Sequence, residues 1–276
     1  MREIKENSVC VIGGAGFLGS QLVDHLIEDR DCCVIVLDNL ITGKEKHIHK
    51  NAKFIWYINA TSVLRVLNAC QRSEFTKGIL QVSSAEIYGD LTGKIKESDP
   101  IEAHSTYGVS KVAADGLVQV RWREAEVPAI AMRQFNCVGE RETHAYVIPE
   151  IISQLSKSNT VRLGNNSFRD FQYSKDAVKM AVLLLEKGNF GEVYNMGSES
   201  GILIYDLAKT IGRLMGHAAV NIEVDEARVR PWEIWHLQSD NSKLYSAIGE
   251  QTPTSLEAAL QNTIDYFNTN NQQWDW

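Results

Sequence analysis

Ser8-Val-Cys-Val-Ile12 is a short apolar run, followed by a glycine-rich stretch from Gly13 to Gly19 and by Gln21-Leu-Val-Asp-His-Leu-Ile27, whose apolar residues recur at helical spacing. A second apolar run, Cys33-Val-Ile-Val-Leu-Asp38, comes next. Continuous apolar runs separated by a helical pattern predict a βαβ unit whose parallel strands are covered on both faces. Further strands are expected at Phe54 to Ile58, Gly78 to Ser83 and Ala129 to Arg133, with helices at Ser62 to Gln71 and Ser105 to Glu124. This alternation predicts an α/β fold of the Rossmann type, a doubly wound parallel sheet.

After about Asn136 the rhythm shortens. A helix is expected near Val147 to Leu155, a strand at Thr160 to Leu163 and a helix from Lys175 to Leu185, which fits a second, smaller lobe. Thr254-Ser-Leu-Glu257 has the form of a capping box opening a last helix, and Leu256, Ala259, Leu260, Ile264 and Phe267 form its core-facing stripe. The polar end from Asn268 to Trp276 is expected to be a mobile tail.

Composition narrows the class. The 276 residues are 44% hydrophobic and 23% charged, enough to bury a core. With 28 Lys+Arg against 35 Asp+Glu, the net charge of −7 argues against nucleic acid or an anionic membrane as a partner. An anionic ligand must therefore be gripped locally. No run of about 20 apolar residues is present and the first residues are polar, so a cytoplasmic location is expected. Five cysteines without C-x-x-C spacing read as reduced, buried thiols, and the histidines show no metal-ligand spacing, so no metal is expected.

Chemistry concentrates in three places. Gly13-Gly-Ala-Gly16-Phe-Leu-Gly19 joins a strand to a helix, where glycines permit a tight turn and close approach of a diphosphate to the helix N-terminus. Asp38 closes the following strand about 20 residues on, placed to accept hydrogen bonds from an adenosine ribose and to repel a 2′-phosphate, which favours NAD over NADP. Tyr107 and Lys111 are one helical turn apart, so a phenol and an ammonium share a face, and the ammonium is expected to lower the tyrosine's pKa toward neutrality. Ser83-Ser84-Ala85-Glu86-Ile87-Tyr88-Gly89 lies at the carboxyl end of an apolar strand, where open parallel sheets bind ligands.

These residues resemble the extended short-chain dehydrogenase/reductase family, in its nucleotide-sugar epimerase/dehydratase branch. The likeness rests on Gly13, Gly16 and Gly19, Asp38-Asn39, Ser84 with Tyr88-Gly89, Tyr107 and Lys111, and Arg133-Gln-Phe-Asn136. It continues through Arg169-Asp-Phe171 with Asp176, Val193-Tyr-Asn-Met-Gly197 and Arg230-Pro-Trp-Glu233, in the family's order over most of the chain. The resemblance implies an NAD-binding domain over residues 1–135, to which 172–197 return, and a lobe over 136–276 that mainly binds a nucleotide-diphosphate sugar. By that resemblance Ser84 positions the sugar hydroxyl, Tyr107 is the acid/base, and Lys111 holds both the tyrosine and the nicotinamide ribose. Phe17, Leu18, Asn39 and Phe135 join the glycines and Asp38 around the cofactor, while Asn136, Arg169 and Arg230 hold the diphosphate. A homodimer through the helices at Ser62 to Gln71 and Ser105 to Glu124 is implied as well.

Glu86 separates the possible reactions. A carboxylate beside the serine can take the C5 proton of a 4-keto sugar so that water leaves from C6, which is a 4,6-dehydratase reaction; a 4-epimerase needs no such base. Ala85 stands where one dehydratase subgroup carries an aspartic acid. The expected function is an NDP-hexose 4,6-dehydratase, with an NDP-sugar 4-epimerase, a decarboxylase or a catalytically impaired binding protein of the same fold as alternatives.

The likeness fails in one stretch. Between Asp38 and the Ser62 helix there is room for one strand where the family runs strand, helix, strand, so a crossover of roughly 30 residues is absent. With it go an acidic residue beside the adenine and an apolar-Ala-Ala loop against the cofactor. Leaving a central slot empty would strand two rows of backbone polar groups. Phe54 to Ile58 is therefore expected in the central slot beside Val9 to Ile12.

Overall fold

The computed structural model describes residues 8–37, 53–55, 59–142 and 146–274. The N-terminal half runs β1 (Ser8–Ile12), α1 (Phe17–Glu28), β2 (Cys33–Leu37), β3 (Lys53–Ile55), α2 (Asn59–Gln71), β4 (Ile79–Ser84), α3 (Thr106–Ala125), β5 (Ala129–Gln134) and β6 (Asn136–Val138). The remainder is α4 (Val147–Leu155), β7 (Thr160–Leu163), β8 (Phe168–Tyr173), α5 (Ser174–Lys187), β9 (Val193–Met196), β10 (Gly201–Leu203), α6 (Ile204–Leu214), β11 (Asn221–Val224), β12 (His236–Leu237), α7 (Ser242–Ile248) and α8 (Leu256–Thr269). The α/β architecture with parallel sheets is the one the apolar runs predict.

The main sheet is split. One parallel sheet has the order β1-β2-β3 and the other β4-β5-β9. Among the described residues no strand pairs with the second edge of β1 or the outer edge of β4. The expected placement of Phe54 is overturned: Phe54 pairs with Val36 of β2, at the outer edge, and not with β1. Counting unpaired edges favoured the centre but ignored the connection. The segment pairs with the strand it follows, as consecutive strands commonly do, and one edge of β1 and one of β4 stay unpaired among the described residues.

One helix holds the two sheets together. Val182 of α5 packs with Val11 and Val36 and with Val23 of α1, while Met180, Ala181 and Leu184 of the same helix pack with Ile130, Met132 and Met196. The opposite face of the β1–β3 sheet is poorly covered. Successive strand residues point to opposite faces, and whereas Val11, Val34 and Val36 are buried, Cys10 and Cys33 are exposed and Ile12 is 43% exposed. The expectation of buried thiols thus fails for Cys10 and Cys33, which are exposed on that face; no disulfide links any cysteine.

The C-terminal lobe is packed conventionally. Ile148, Ile151 and Leu155 of α4 meet Leu207 and Ile211 of α6 and Leu260 of α8 in one core. The cap of α8 lies one residue later than the capping box placed it: Ser255 Oγ accepts from Ala258 N, while Thr254 N donates to Asp176 Oδ2 at 2.6 Å. Trp274 is docked rather than part of a mobile tail, stacking on Phe267 and donating its indole N–H to Ser153 Oγ at 2.7 Å.

Candidate active site

The glycine loop has the backbone that only glycine supplies. Gly13 has φ +76°, and a Cβ on Gly19 would fall 1.9 Å from the Gly13 carbonyl oxygen. Gly16 precedes α1, whose first turn starts at Phe17 and Leu18, carries no acidic residue and receives no side-chain cap. The N-terminal N–H groups of α1 are therefore available to an anion. This cradle fits the diphosphate of a dinucleotide. Asp38 and Asn39, expected at the ribose, lie outside the described residues.

At the carboxyl end of β4 the predicted catalytic residues converge. Ser84 Oγ accepts from Glu86 N at 3.2 Å and is hydrogen-bonded to the Tyr107 hydroxyl. Glu86 Oε2 accepts from Ser105 Oγ at 3.1 Å, and Ser105 caps α3 by accepting from Gly108 N at 2.9 Å. The carboxylate is thereby tied to the turn that carries Tyr107. Lys111 Nζ lies 5.6 Å from the Tyr107 ring centroid but donates to the Val82 carbonyl at 2.8 Å. That carbonyl is on β4, whose other edge is unpaired among the described residues.

The electrostatics reverse one expectation. Tyr107 is not brought toward neutrality; its pKa is pushed up to about 12, mainly by burial of its phenol end, with the Ser84 bond opposing and the charges of Glu86 and Tyr146 adding to the rise. Burial lowers the pKa of Lys111. An ammonium engaged with Val82 over a tyrosine face does not supply the pull the i, i+4 spacing promised. The protonated phenol can donate, and becomes a base only where a neighbouring positive charge offsets its burial.

The diphosphate candidates occupy the facing lobe. Arg169 Nη2 pairs with Glu233 Oε1 at 2.7 Å and its Nη1 donates to the Phe168 carbonyl, so it is no surface partner of Asp170. Burial lowers its pKa, and the charges of Arg230 and Glu86 also act on it, which puts these groups around one cleft. The Arg230 backbone is fixed by Asn165, whose Oδ1 accepts from Arg230 N at 2.7 Å. Asn136 Oδ1 is buried without a hydrogen-bond partner among the described residues. Phe135, expected at the cofactor, is buried in a cluster with Ala85, Ile87 and Tyr88.

The braces behind the site escaped the sequence reading. Arg133 pairs with Asp115 at 2.7 Å, both buried, and donates to the Tyr88 hydroxyl, which donates onward to Asn195 Oδ1 at 2.6 Å. The signal available was an arginine inside an apolar strand. Asp170 accepts from the backbone N–H groups of Ser198, Glu199 and Ser239 and from the hydroxyls of Ser198 and Ser239. Glu142 is buried with Oε2 unpartnered among the described residues, and burial raises its pKa well above the usual carboxylate range.

A glycine-loop βαβ unit, a Ser-Tyr-Lys cluster at strand ends and a second lobe carrying arginines define an extended short-chain dehydrogenase/reductase. Within that class, the family described as GDP-mannose 4,6 dehydratase matches residues 46–263, and the chain belongs to it. The dTDP-D-glucose 4,6-dehydratase of Mus musculus is 25% identical over 321 residues, covering 96% of this chain and 90% of its own. A putative UDP-glucose 4-epimerase of Methanocaldococcus jannaschii is 24% identical over 310 residues, covering 96% and 99%. Among solved structures, dTDP-glucose 4,6-dehydratase from Bacillus anthracis in complex with NAD superposes with a TM-score of 0.87 at 21% identity, covering 97% of this chain and 98% of that one. UDP-N-acetylglucosamine 4-epimerase from Methanobrevibacter ruminantium gives 0.84 at 24%, covering 96% and 99%. The 321 positions matched to the mouse protein exceed the 276 residues of this chain, so the alignment holds positions this chain leaves empty. An absent crossover of roughly 30 residues would make up part of that difference.

Proposed function

We propose that this chain is an NAD-dependent enzyme acting on a nucleoside-diphosphate hexose through a 4-keto intermediate, and that the reaction is 4,6-dehydration. The observation that carries this reading is Glu86: its carboxylate is fixed through Ser105 to the first turn of α3, beside Ser84 and Tyr107 and within the field of Arg169. In this reading the cofactor half comprises residues 1–135 with 172–197, and residues 136–276 mainly hold the substrate.

Bound NAD would accept a hydride from C4 of the sugar and return one later in the cycle. Ser84 holds the C4 hydroxyl, and Tyr107 takes its proton once the positive charge of the bound cofactor and of Lys111 lowers the phenol's pKa. Lys111 must exchange the Val82 carbonyl for the cofactor ribose. Glu86 then removes the C5 proton, acidified by the adjacent ketone, and the C6 hydroxyl leaves as water. Ala85 has no proton to give, so Glu86 passes the C5 proton to the leaving hydroxyl, and when the hydride would return to C6, Glu86 relays a solvent proton to C5. Arg169, Arg230 and Asn136 anchor the diphosphate, the guanidinium groups matching phosphate in charge and geometry. The same Ala85 favours 4-epimerisation as the second reading.

Reaction in deuterated water separates the two. With nucleoside-diphosphate hexoses as substrates, a dehydratase yields a product lighter by one water, labelled at C5, and Glu86→Gln abolishes it. A product of unchanged mass without C5 label, insensitive to Glu86→Gln, establishes the epimerase instead.

A further inference from the structure

Two stretches of backbone are pressed together around Glu86. The loop from Ser84 to Gly89 meets the segment from Glu102 to Gly108 at two glycines. A Cβ on Gly89, which has φ +67°, would fall 2.1 Å from the Glu102 carbonyl oxygen, and one on Gly108 would fall 3.0 Å from the Glu86 carbonyl oxygen. Approach this close fixes the two stretches against each other.

Ser105 falls between these contacts in the chain, and its hydroxyl has two partners. The oxygen accepts from Gly108 N at 2.9 Å, which caps α3, so the hydroxyl hydrogen is left for an acceptor. That acceptor is Glu86 Oε2 at 3.1 Å. A serine needed only as a cap has no use for the second bond. Tyr107, two residues on, is hydrogen-bonded to Ser84 instead. The start of α3 thus holds the two reacting groups by separate contacts.

Those contacts serve different steps. Resting on the dehydration reading above, we infer that Ser105 is the positioning residue for elimination alone: it aims the Glu86 carboxylate at C5 and takes no part in oxidation at C4. In oxidation the C4 hydroxyl proton goes to Tyr107 and a hydride to the cofactor, for which Ser84 and Tyr107 suffice. In elimination the C5–H bond breaks, a C5–C6 double bond forms, and the C6 hydroxyl leaves as water with the proton from Glu86. With the carboxylate turned away, the hydride returns to C4 and the starting sugar is recovered. Ser105 therefore sets how the 4-keto sugar divides between dehydration and reversal.

Single turnovers of the NAD-loaded protein on dTDP-glucose, UDP-glucose and GDP-mannose test this, with reduced cofactor followed by absorbance and loss of water by mass. Ser105→Gly removes the donor, and glycine is tolerated at an N-cap. It is expected to slow loss of water roughly 10²-fold, the scale of a misplaced reacting group, while reduced cofactor forms as fast as in the wild type. Ser105→Asp, whose carboxylate caps a helix but has no hydrogen to donate, should fold and show the same selective loss. Ser105→Thr should restore dehydration. Dehydration at the wild-type rate in Ser105→Gly or Ser105→Asp overturns the inference, as does failure of Ser105→Thr to restore it. An equal fall in both steps also overturns it, assigning Ser105 to the scaffold of α3; each of these results leaves the dehydration reading standing. Wild-type protein that removes water from none of the three sugars sinks that reading and the inference with it.

Discussion

The β4-β5-β9 sheet and the β1-β2-β3 sheet belong to one fold but are finished to different degrees. In the first, β5 is buried along its whole length, and the polar groups behind it are closed into a chain from Asp115 through Arg133 and Tyr88 to Asn195. In the second, one face is packed on α1 and α5 while Cys10 and Ile12 meet water, and one edge of β1 is unpaired among the described residues. The β4-β5-β9 sheet is thus backed by a connected polar brace, and the β1-β2-β3 sheet lies next to the absent strand and helix in the chain. The ammonium of Lys111 caps the Val82 carbonyl of β4, which also accepts from Gln81 Nε2.

Tyr107→Phe acts at the seam between the two sheets and should have the largest effect. Turnover is expected to fall by roughly 10²–10⁴-fold with the circular dichroism unchanged. In cofactor-free protein the same substitution should remove a phenol ionising near pH 12 from the absorbance titration. The folded chain keeps that proton between pH 10 and 12 while the unfolded chain releases it, so this group's contribution to stability declines as pH rises through the window, and the variant should lack that decline. Full activity in Tyr107→Phe would take this residue out of the mechanism.

The contrast in finish is sharpened by two stability measurements. Asp115→Ala leaves the Arg133 guanidinium buried without its carboxylate and should cost about 3–5 kcal/mol in denaturant unfolding. A loss near zero would show that the brace behind β5 carries no stability. On the open face, Ile12→Thr should change stability by no more than about 0.5 kcal/mol, because the side chain is already partly in water. A loss of several kcal/mol there would mean that the face is covered in solution, and the two sheets would no longer differ in the way described.

Much of this contrast was legible in the residues. Apolar runs and helical periodicity located the strands and helices because local patterning is strong there, and the glycine loop was legible because Gly13 and Gly19 answer to backbone geometry alone. The meeting of Ser84, Glu86 and Tyr107 followed from strand ends and one helical turn. What stayed hidden depends on tertiary context. The pKa of Tyr107 is governed by burial, which spacing does not report, and Phe54 could satisfy either of two free edges, which periodicity does not distinguish. The Asp170 hub draws its donors from Ser198, Glu199 and Ser239, remote in sequence and brought together only by the fold.

Among the described residues the two sheets share no strand pairing, and α5 has side chains in both cores. Cooperativity between the halves therefore passes through the packing of α5 and the polar links of α1, Gln21 with Glu140 and Ser174 and Asp24 with Arg141, rather than through a continuous hydrogen-bonded ladder. Such an arrangement gives the backbone amides of β1–β3 a route to exchange with solvent by sub-global opening, while β4, β5 and β9 exchange only with the whole lobe. The β1–β3 part of the cofactor half is in this sense a separate cooperative unit, and a dinucleotide seated in the glycine loop, by binding only its closed form, would slow that exchange without touching the other sheet.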